Sequence, residues 1–432
     1  MKKICIDMAY GKGTASVHVP EGNLDKIFRV HPWEPLVQPT QAVEQSLLNP
    51  IGTPPLQGLA QGRRDAVVVI SDITRPVPNR LILPPILETL EQSGIPREKI
   101  LILIATGMHR PNEGEELIEL VGEEIAERYR VENHSGTDRE AHVDLGISEE
   151  GVPLLVDRRY IEADLRILTG LIEPHLMAGY SGGRKGVLPG VCSLETMKVM
   201  HGYKVIQHPL TVVGRLDDNP FHLTALRLTR QIGADFIVNV TLNERRELTG
   251  VFSGDLDQAH RAGVADLEKF VVDEIEQPVD IVVGCSGGYP LDQTFYQCIK
   301  GMVAAKEILK PGGTIVFASH LGEGMGSEPF QQLVNELTTP QAFLESLEGP
   351  DYRQLDQWML QDHCNILLHA GEIQVFSEHL SKDWLNKALV VPIESLDAGL
   401  ERAFHRHGPE ARVAVMPQGP YVIARTMEPM QV

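Results

Sequence analysis

The chain lacks any stretch of about 18 uncharged apolar residues, the minimum for a membrane-crossing helix, so an integral membrane protein is not expected. Its five cysteines, Cys5, Cys192, Cys285, Cys298 and Cys364, are scattered and form no Cys-x-x-Cys pair. That argues against a disulfide framework and a cysteine-rich zinc site, and it fits a reducing cytoplasm. No sustained basic run follows the sequence, and the net charge is −20 at pH 7, so nucleic acid is not an expected partner. The apolar run after Met1-Lys2-Lys3 is broken by Asp7 and followed by Gly11-Lys12-Gly13, without a cleavage-like site, so export is not expected either. There is no sequence repeat and no low-complexity tract.

With 432 residues, 42% of them hydrophobic and 23% charged, the chain exceeds the size at which one core usually stops growing, and two well-packed domains are expected. Short β-branched runs alternate with longer helical stretches, which predicts two α/β domains with largely parallel sheets. Strands are expected at Ala66 to Ile70, Ile100 to Ala105, Leu165 to Leu171 and Phe236 to Val240, then at Ile281 to Gly284, Thr314 to Ala318, Ala388 to Val391 and Arg412 to Val415. A long polar helix over Leu256 to Glu276 precedes Gln277-Pro278, and the domain break is placed there, giving residues 1–275 and 276–432.

In open α/β sheets ligands collect beyond the carboxyl ends of the strands, and unusual residues stand at four such places. Ser71-Asp72-Ile73-Thr74-Arg75-Pro76, Thr106-Gly107-Met108-His109-Arg110-Pro111 and Glu173-Pro174-His175 each follow a strand of the first part. Cys285-Ser286-Gly287-Gly288-Tyr289-Pro290 follows the first strand of the second part. One shared active site in an interdomain cleft is expected from these four loops.

The segment from His175 to Gly190 is the most informative. Its glycines, Gly179, Gly182 and Gly183, let backbone approach a ligand closely, and Arg184 and Lys185 bring two cations to it, so a phosphate-bearing cofactor is one reading. A flexible loop with solvated basic residues is the other. The order Gly-x-x-Gly-Gly-Arg-Lys-Gly is neither a Walker A loop nor a dinucleotide fingerprint. His109, His175 and His201 are each explicable as surface or capping histidines; beside a cationic glycine loop they also qualify as acid-base groups or metal ligands. No His-Glu-x-x-His helix occurs, so a metal would need ligands drawn from separate loops or from a cofactor. Asp72 and Arg75 flank a turn, read either as a local Asx turn with an ion pair or as a grip on phosphate or carboxylate. Gln297 and Lys300 share one face if Asp292 to Leu309 is helical, and could clamp a carboxylate. The net negative charge makes such a local cationic clamp necessary for an acidic substrate.

Taken together, Asp72-x-Thr74-Arg75-Pro76, Ala105-Thr106-Gly107-x-His109-Arg110-Pro111, His175 through Gly190, the region of His201, and Tyr296-Gln297-x-x-Lys300 resemble the nickel-dependent lactate racemase family, LarA and its homologues, over about residues 5 to 425. The resemblance implies a nickel-pincer nucleotide, a pyridinium-3-thioamide-5-thiocarboxylic acid mononucleotide tethered through Lys185, with His201 as the protein ligand to nickel. Asp72, Arg75, Gly182 and Gly183 would hold its ring and phosphate. It implies a 2-hydroxy acid racemase or epimerase acting by hydride transfer, with His109 and His175 as the two acid/bases and Tyr296, Gln297, Lys300 and Trp358 as substrate contacts. The first domain would then bind the cofactor and the second close over the substrate. Met108, Ser71 and Leu176 depart from the family's pattern and bear on which 2-hydroxy acid is taken.

Expected partners are a small 2-hydroxy acid and the enzymes that build the cofactor and insert nickel; self-association into a homo-oligomer stays open. Two rival readings remain. An NAD-dependent 2-hydroxy acid dehydrogenase would need a dinucleotide fingerprint that the sequence lacks. A non-catalytic hydroxy acid or nucleotide-binding protein would leave Lys185 and His201 without a purpose.

Overall fold

A computed structural model describes residues 2–348 and 354–427. Packing divides the chain into two units. The first holds Pro32–His201 and Leu210–Phe270; the second holds Gly202–Pro209 together with the described residues up to His31 and from Val271 onward. The division is therefore not a single cut along the chain.

The first unit is built on a six-stranded sheet in the order Leu248–Gly254, Phe236–Leu242, Leu165–Leu171, Ala66–Ser71, Ile100–Ala105, Arg130–Asn133. All neighbours are parallel except the edge strand Leu248–Gly254, which runs antiparallel to Phe236–Leu242. The central strands are continuous Val, Ile and Leu because helices cover both faces of a parallel sheet. Val68, Ile70, Ile102, Ile104, Ile167 and Val238 pack in one core with Leu83, Ile86 and Leu90 of the helix Asn79–Gln92.

The second unit carries an all-parallel six-stranded sheet in the order Val391–Ile393, Glu372–Phe376, Leu309–Ala318, Val279–Cys285, Val413–Met416, Leu24–Ile27. Its edge strand comes from the start of the chain. A hairpin of Lys3–Tyr10 and Gly13–Pro20 turns through Gly11 at φ +54° and lays Ile6, Met8, Tyr10, Val17 and Val19 on this unit's core. Those side chains alternate with exposed ones, the period of a half-buried antiparallel pair.

Seven of the eight expected strands form where the sequence placed them, with ends shifted by a few residues. Ala388 to Val391 is mostly the turn after the helix Lys382–Lys387, and the strand begins at Val391. Arg412 precedes its strand, which runs Val413–Met416. The long helix is shorter than expected, Gln258–Val271, and hands over directly to a strand at Val272–Ile275. Among the described residues no helix is long and apolar enough to cross a membrane.

Candidate active site

Three adjacent parallel strands of the first unit, Leu165–Leu171, Ala66–Ser71 and Ile100–Ala105, release their chains at the same sheet edge. The loops that follow carry Glu173 to His175, Asp72 to Arg75, and His109.

Asp72 is 4% exposed, and its Oδ2 lies 2.5 Å from His109 Nδ1 while Thr74 donates to its Oδ1 at 2.6 Å. Burial works to raise this carboxyl, but the hydrogen bond and charge of His109, with Thr74 and Arg75, outweigh it and hold Asp72 below the usual carboxylate range. An ionised carboxylate only accepts, so His109 Nδ1 carries the proton and Nε2 has the lone pair. The His109 side chain is 58% exposed. Arg75 N–H closes a turn on the Asp72 carbonyl at 3.1 Å, but its guanidinium pairs with Glu173, Nη1 to Oε1 at 3.4 Å, so the expected turn is there and the Asp72–Arg75 ion pair is not.

His175 sits differently. The Met177 and Ala178 backbone N–H groups both donate to its Nδ1 at 3.2 Å, and its Nε2 is 2.7 Å from Lys185 Nζ. Lys185 stands in the short helical turn Gly183–Gly186, and its Nζ lies 5.9 Å from the centre of the Phe221 ring. His201 meets the same ring edge-on at 5.1 Å. His201 closes the helix Leu194–Met200, which Ser193 caps by accepting from Thr196 N–H. Burial pushes the His201 imidazole down to about 4, partly opposed by its hydrogen bond to the Met197 carbonyl. It is thus neutral near pH 7, with Nδ1–H committed to Met197 O at 2.9 Å and the lone pair on Nε2.

The glycine-rich segment departs from expectation in two ways. Arg184 does not reach a ligand: it is 1% exposed, and its Nη2 donates to the Ala178 and Tyr180 carbonyls at 2.7 and 2.8 Å, fastening the loop from beneath. The glycines also answer to the protein itself. Gly179 has φ +74°, and a Cβ there would sit 1.9 Å from the Arg215 carbonyl oxygen. Gly182 has φ +78° with Asn239 Oδ1 2.8 Å from its would-be Cβ, and Gly183 donates its N–H to that same oxygen at 2.7 Å.

Sequence reasoning missed the groups that hold this loop. Asn239, Asn219 and His260 are fully or almost fully buried polar residues. Asn219 Nδ2 donates to Met177 O at 2.9 Å, and His260 Nε2 lies 2.8 Å from Ser181 O. A polar residue inside an apolar strand, as Asn239 is in Phe236–Leu242, was the available signal.

The remaining candidates lie in the second unit. Tyr296, Gln297 and Lys300 are on the helix Phe295–Lys306, capped by Thr294, which is shorter than the Asp292 to Leu309 expected. Trp358 is on the helix Gln357–His369, and its Nε1 donates to Tyr296 OH at 2.8 Å. Gln297 Oε1 is buried without a hydrogen-bond partner among the described residues. Among the described residues no group of three His, Cys, Asp or Glu could hold a metal ion.

An α/β chain of two units, with histidines, a lysine and a carboxylate gathered at one sheet edge, is a plausible enzyme by geometry alone, and comparison makes the class specific. Residues 10–214 match the lactate racemase N-terminal domain and residues 274–424 the lactate racemase C-terminal domain. The chain is 35% identical over 426 residues to the lactate racemase of Lactiplantibacillus plantarum, covering 98% of this chain and 100% of that one. It is 32% identical over 424 residues to the lactate racemase of Thermoanaerobacterium thermosaccharolyticum, covering 97% and 99%. The structure of the lactate racemase apoprotein from that second organism superposes with a TM-score of 0.92 at 31% identity, over 98% of this chain and all of that one. A Thermotoga maritima protein shares the fold, with a TM-score of 0.68 at 18% identity over 91% of this chain. The chain belongs to the lactate racemase family.

Proposed function

We propose that this protein is a 2-hydroxy acid racemase of the lactate racemase type, working with a nickel-pincer nucleotide tethered at Lys185. The residues fit such a group. His201 offers one neutral, tautomer-fixed imidazole, and the described residues provide no three-donor protein site, so the other metal donors belong on the cofactor, as two sulfurs and a ring carbon would supply. Lys185 and His201 both lie against the Phe221 ring, which supports reading them as tether and ligand of one group. Arg75 would hold the phosphate, while the Gly183 N–H is committed to Asn239 Oδ1.

Removing a proton from the carbinol carbon would place negative charge beside a carboxylate, a poor route without strong stabilisation. The bound cofactor supplies a hydride acceptor for that carbon instead. The chain's own work is then to hold the hydroxy acid and to move the hydroxyl proton. His109 Nε2, which has the lone pair in the neutral tautomer that Asp72 selects, takes that proton from one enantiomer; His175 serves the other, whose hydroxyl points elsewhere. Gln297 and Lys300 bind the carboxylate or the keto oxygen, with Tyr296 and Trp358, which are hydrogen-bonded to each other, as further substrate contacts. The buried, unpartnered Gln297 Oε1 suits a hydroxyl donor of the substrate.

The observation that carries the reading is His201, a buried neutral imidazole presented at a helix end beside the lysine. Protein made together with cofactor-building enzymes is expected to contain one nickel per chain, to carry added mass on the Lys185 peptide, and to interconvert D- and L-lactate or a close 2-hydroxy acid. Absence of nickel and adduct under those conditions, with hydride transfer to NAD detected instead, would turn the assignment to a dehydrogenase.

A further inference from the structure

His175 and Lys185 meet in an arrangement whose protonation is fixed by geometry. Two backbone donors, Met177 N–H and Ala178 N–H, point at His175 Nδ1. That nitrogen must hold the lone pair, and a neutral imidazole then carries its proton on Nε2. Nε2 lies 2.7 Å from Lys185 Nζ. An ammonium has three donors and no acceptor, so an Nε2–H facing it would be a donor–donor clash. The contact is a hydrogen bond only when Lys185 is the neutral amine, accepting from His175. Backbone bonds from Lys185 N to Gly182 O at 3.2 Å and from Gly190 N to Lys185 O at 3.0 Å fix where the side chain starts.

We propose that His175 holds Lys185 as a neutral, nucleophilic amine before any cofactor is attached, so that this chain primes its own tether site. The amine lone pair leaves the His175 hydrogen bond and attacks the carbonyl carbon of a thiocarboxylic acid. A C–N bond forms and the C–O bond breaks. The oxygen leaves as water with one proton from the amine and one from the thioacid, giving a thioamide without oxidant or reductant. The acylated nitrogen no longer accepts a hydrogen bond, so His175 loses that partner on loading and its Nε2 turns to the substrate. One histidine thus serves first as a positioning residue for attachment and then in proton transfer. The identity of the acid rests on the function proposed above; the state of the amine does not.

The test uses the cofactor-free protein and trace acetylation by the N-hydroxysuccinimide ester of acetic acid. Every lysine peptide is quantified by mass spectrometry from about pH 5 to about pH 11, a span covering ordinary histidine and lysine values. Lys185 reactivity should reach half its plateau about 2 pH units below that of the other lysines, as for lysines tuned to act near neutrality. In His175→Ala that midpoint should return to the ordinary range. A Lys185 that titrates with the other lysines overturns the proposal, as does a low midpoint unchanged in His175→Ala. The parent profile decides the first point even if the variant does not fold. A low midpoint in a protein that never racemises would sink the racemase reading and leave the primed amine standing; an active, adducted protein with an ordinary Lys185 would do the reverse.

Discussion

Asp72 Oδ2 and His109 Nδ1 approach to 2.5 Å, a contact that leaves His109 with its lone pair on Nε2. His175 is held the other way round, with backbone donors on Nδ1 and its proton on Nε2. The two candidate acid/bases therefore stand in opposite tautomers.

Replacing Asp72 by Asn keeps the shape but removes the charge and lets an amide N–H face Nδ1, which favours the wrong tautomer. Racemisation in Asp72→Asn should fall about 100-fold in kcat in at least one direction, within the range that positioned acid–base catalysis contributes. The Lys185 adduct should be retained. Steady-state assays from each enantiomer with intact mass would measure both, and an Asn variant that racemises at the parent rate removes Asp72 from the mechanism.

The fold was legible where sequence and structure obey one period. Runs such as Ala66–Ser71 are buried on both faces and read directly as parallel strands. The N-terminal hairpin was hard to read because Ile4, Ile6, Met8 and Tyr10 alternate with Cys5, Asp7 and Ala9, only one of them polar, which blurs the period-two signal. Its place in the second unit, and that of Leu24–Ile27, depends on pairing with Val413–Met416, a contact far along the chain that no local pattern encodes. At the site, the histidines and Lys185 were found from their loops. The role of Arg184 was misread because a cation beside glycines looks the same whether it faces a ligand or three backbone carbonyls; only burial separates the two. Asp72 was assigned to a cofactor, and its contact with His109 needs two loops brought together by adjacent strands.

Buried histidines of the first unit should make it acid-sensitive. His222 is fully buried, and neither ring nitrogen has a hydrogen-bond partner among the described residues. Burial above all, then the charge of Arg184, pushes it down to about 2, and His260 likewise to about 3. The unfolded chain binds these protons near the ordinary value of 6.5. Because the folded value is the lower, stability is lost as pH falls below about 6.5. His222→Leu removes one such linkage and two unsatisfied polar atoms, each costing about 1–3 kcal/mol. Its melting temperature should exceed the parent's, by more at about pH 5 than at about pH 8. An equal gain at both values would mean that His222 does not titrate in this way.

Arg184 and Lys185 are adjacent cations with opposite duties, and exchanging each for the other type separates them. Arg184 is buried with its guanidinium spread over the carbonyls of Ala178, Tyr180 and, more distantly at 3.4 Å, Gly182. A lysine cannot span that fork, so Arg184→Lys should lose about 2–3 kcal/mol of stability through carbonyls left unpaired, read as a lower midpoint in urea. Lys185 is half-buried, and Lys185→Arg should stay within about 1 kcal/mol of the parent. That variant should nevertheless carry no adduct when made with the cofactor-building enzymes, because a guanidinium is too basic and delocalised to be acylated. A lysine that merely paired with a phosphate would tolerate arginine in part. Substantial racemase activity in Lys185→Arg without any adduct would therefore defeat the tether and make anion binding the better account of this loop.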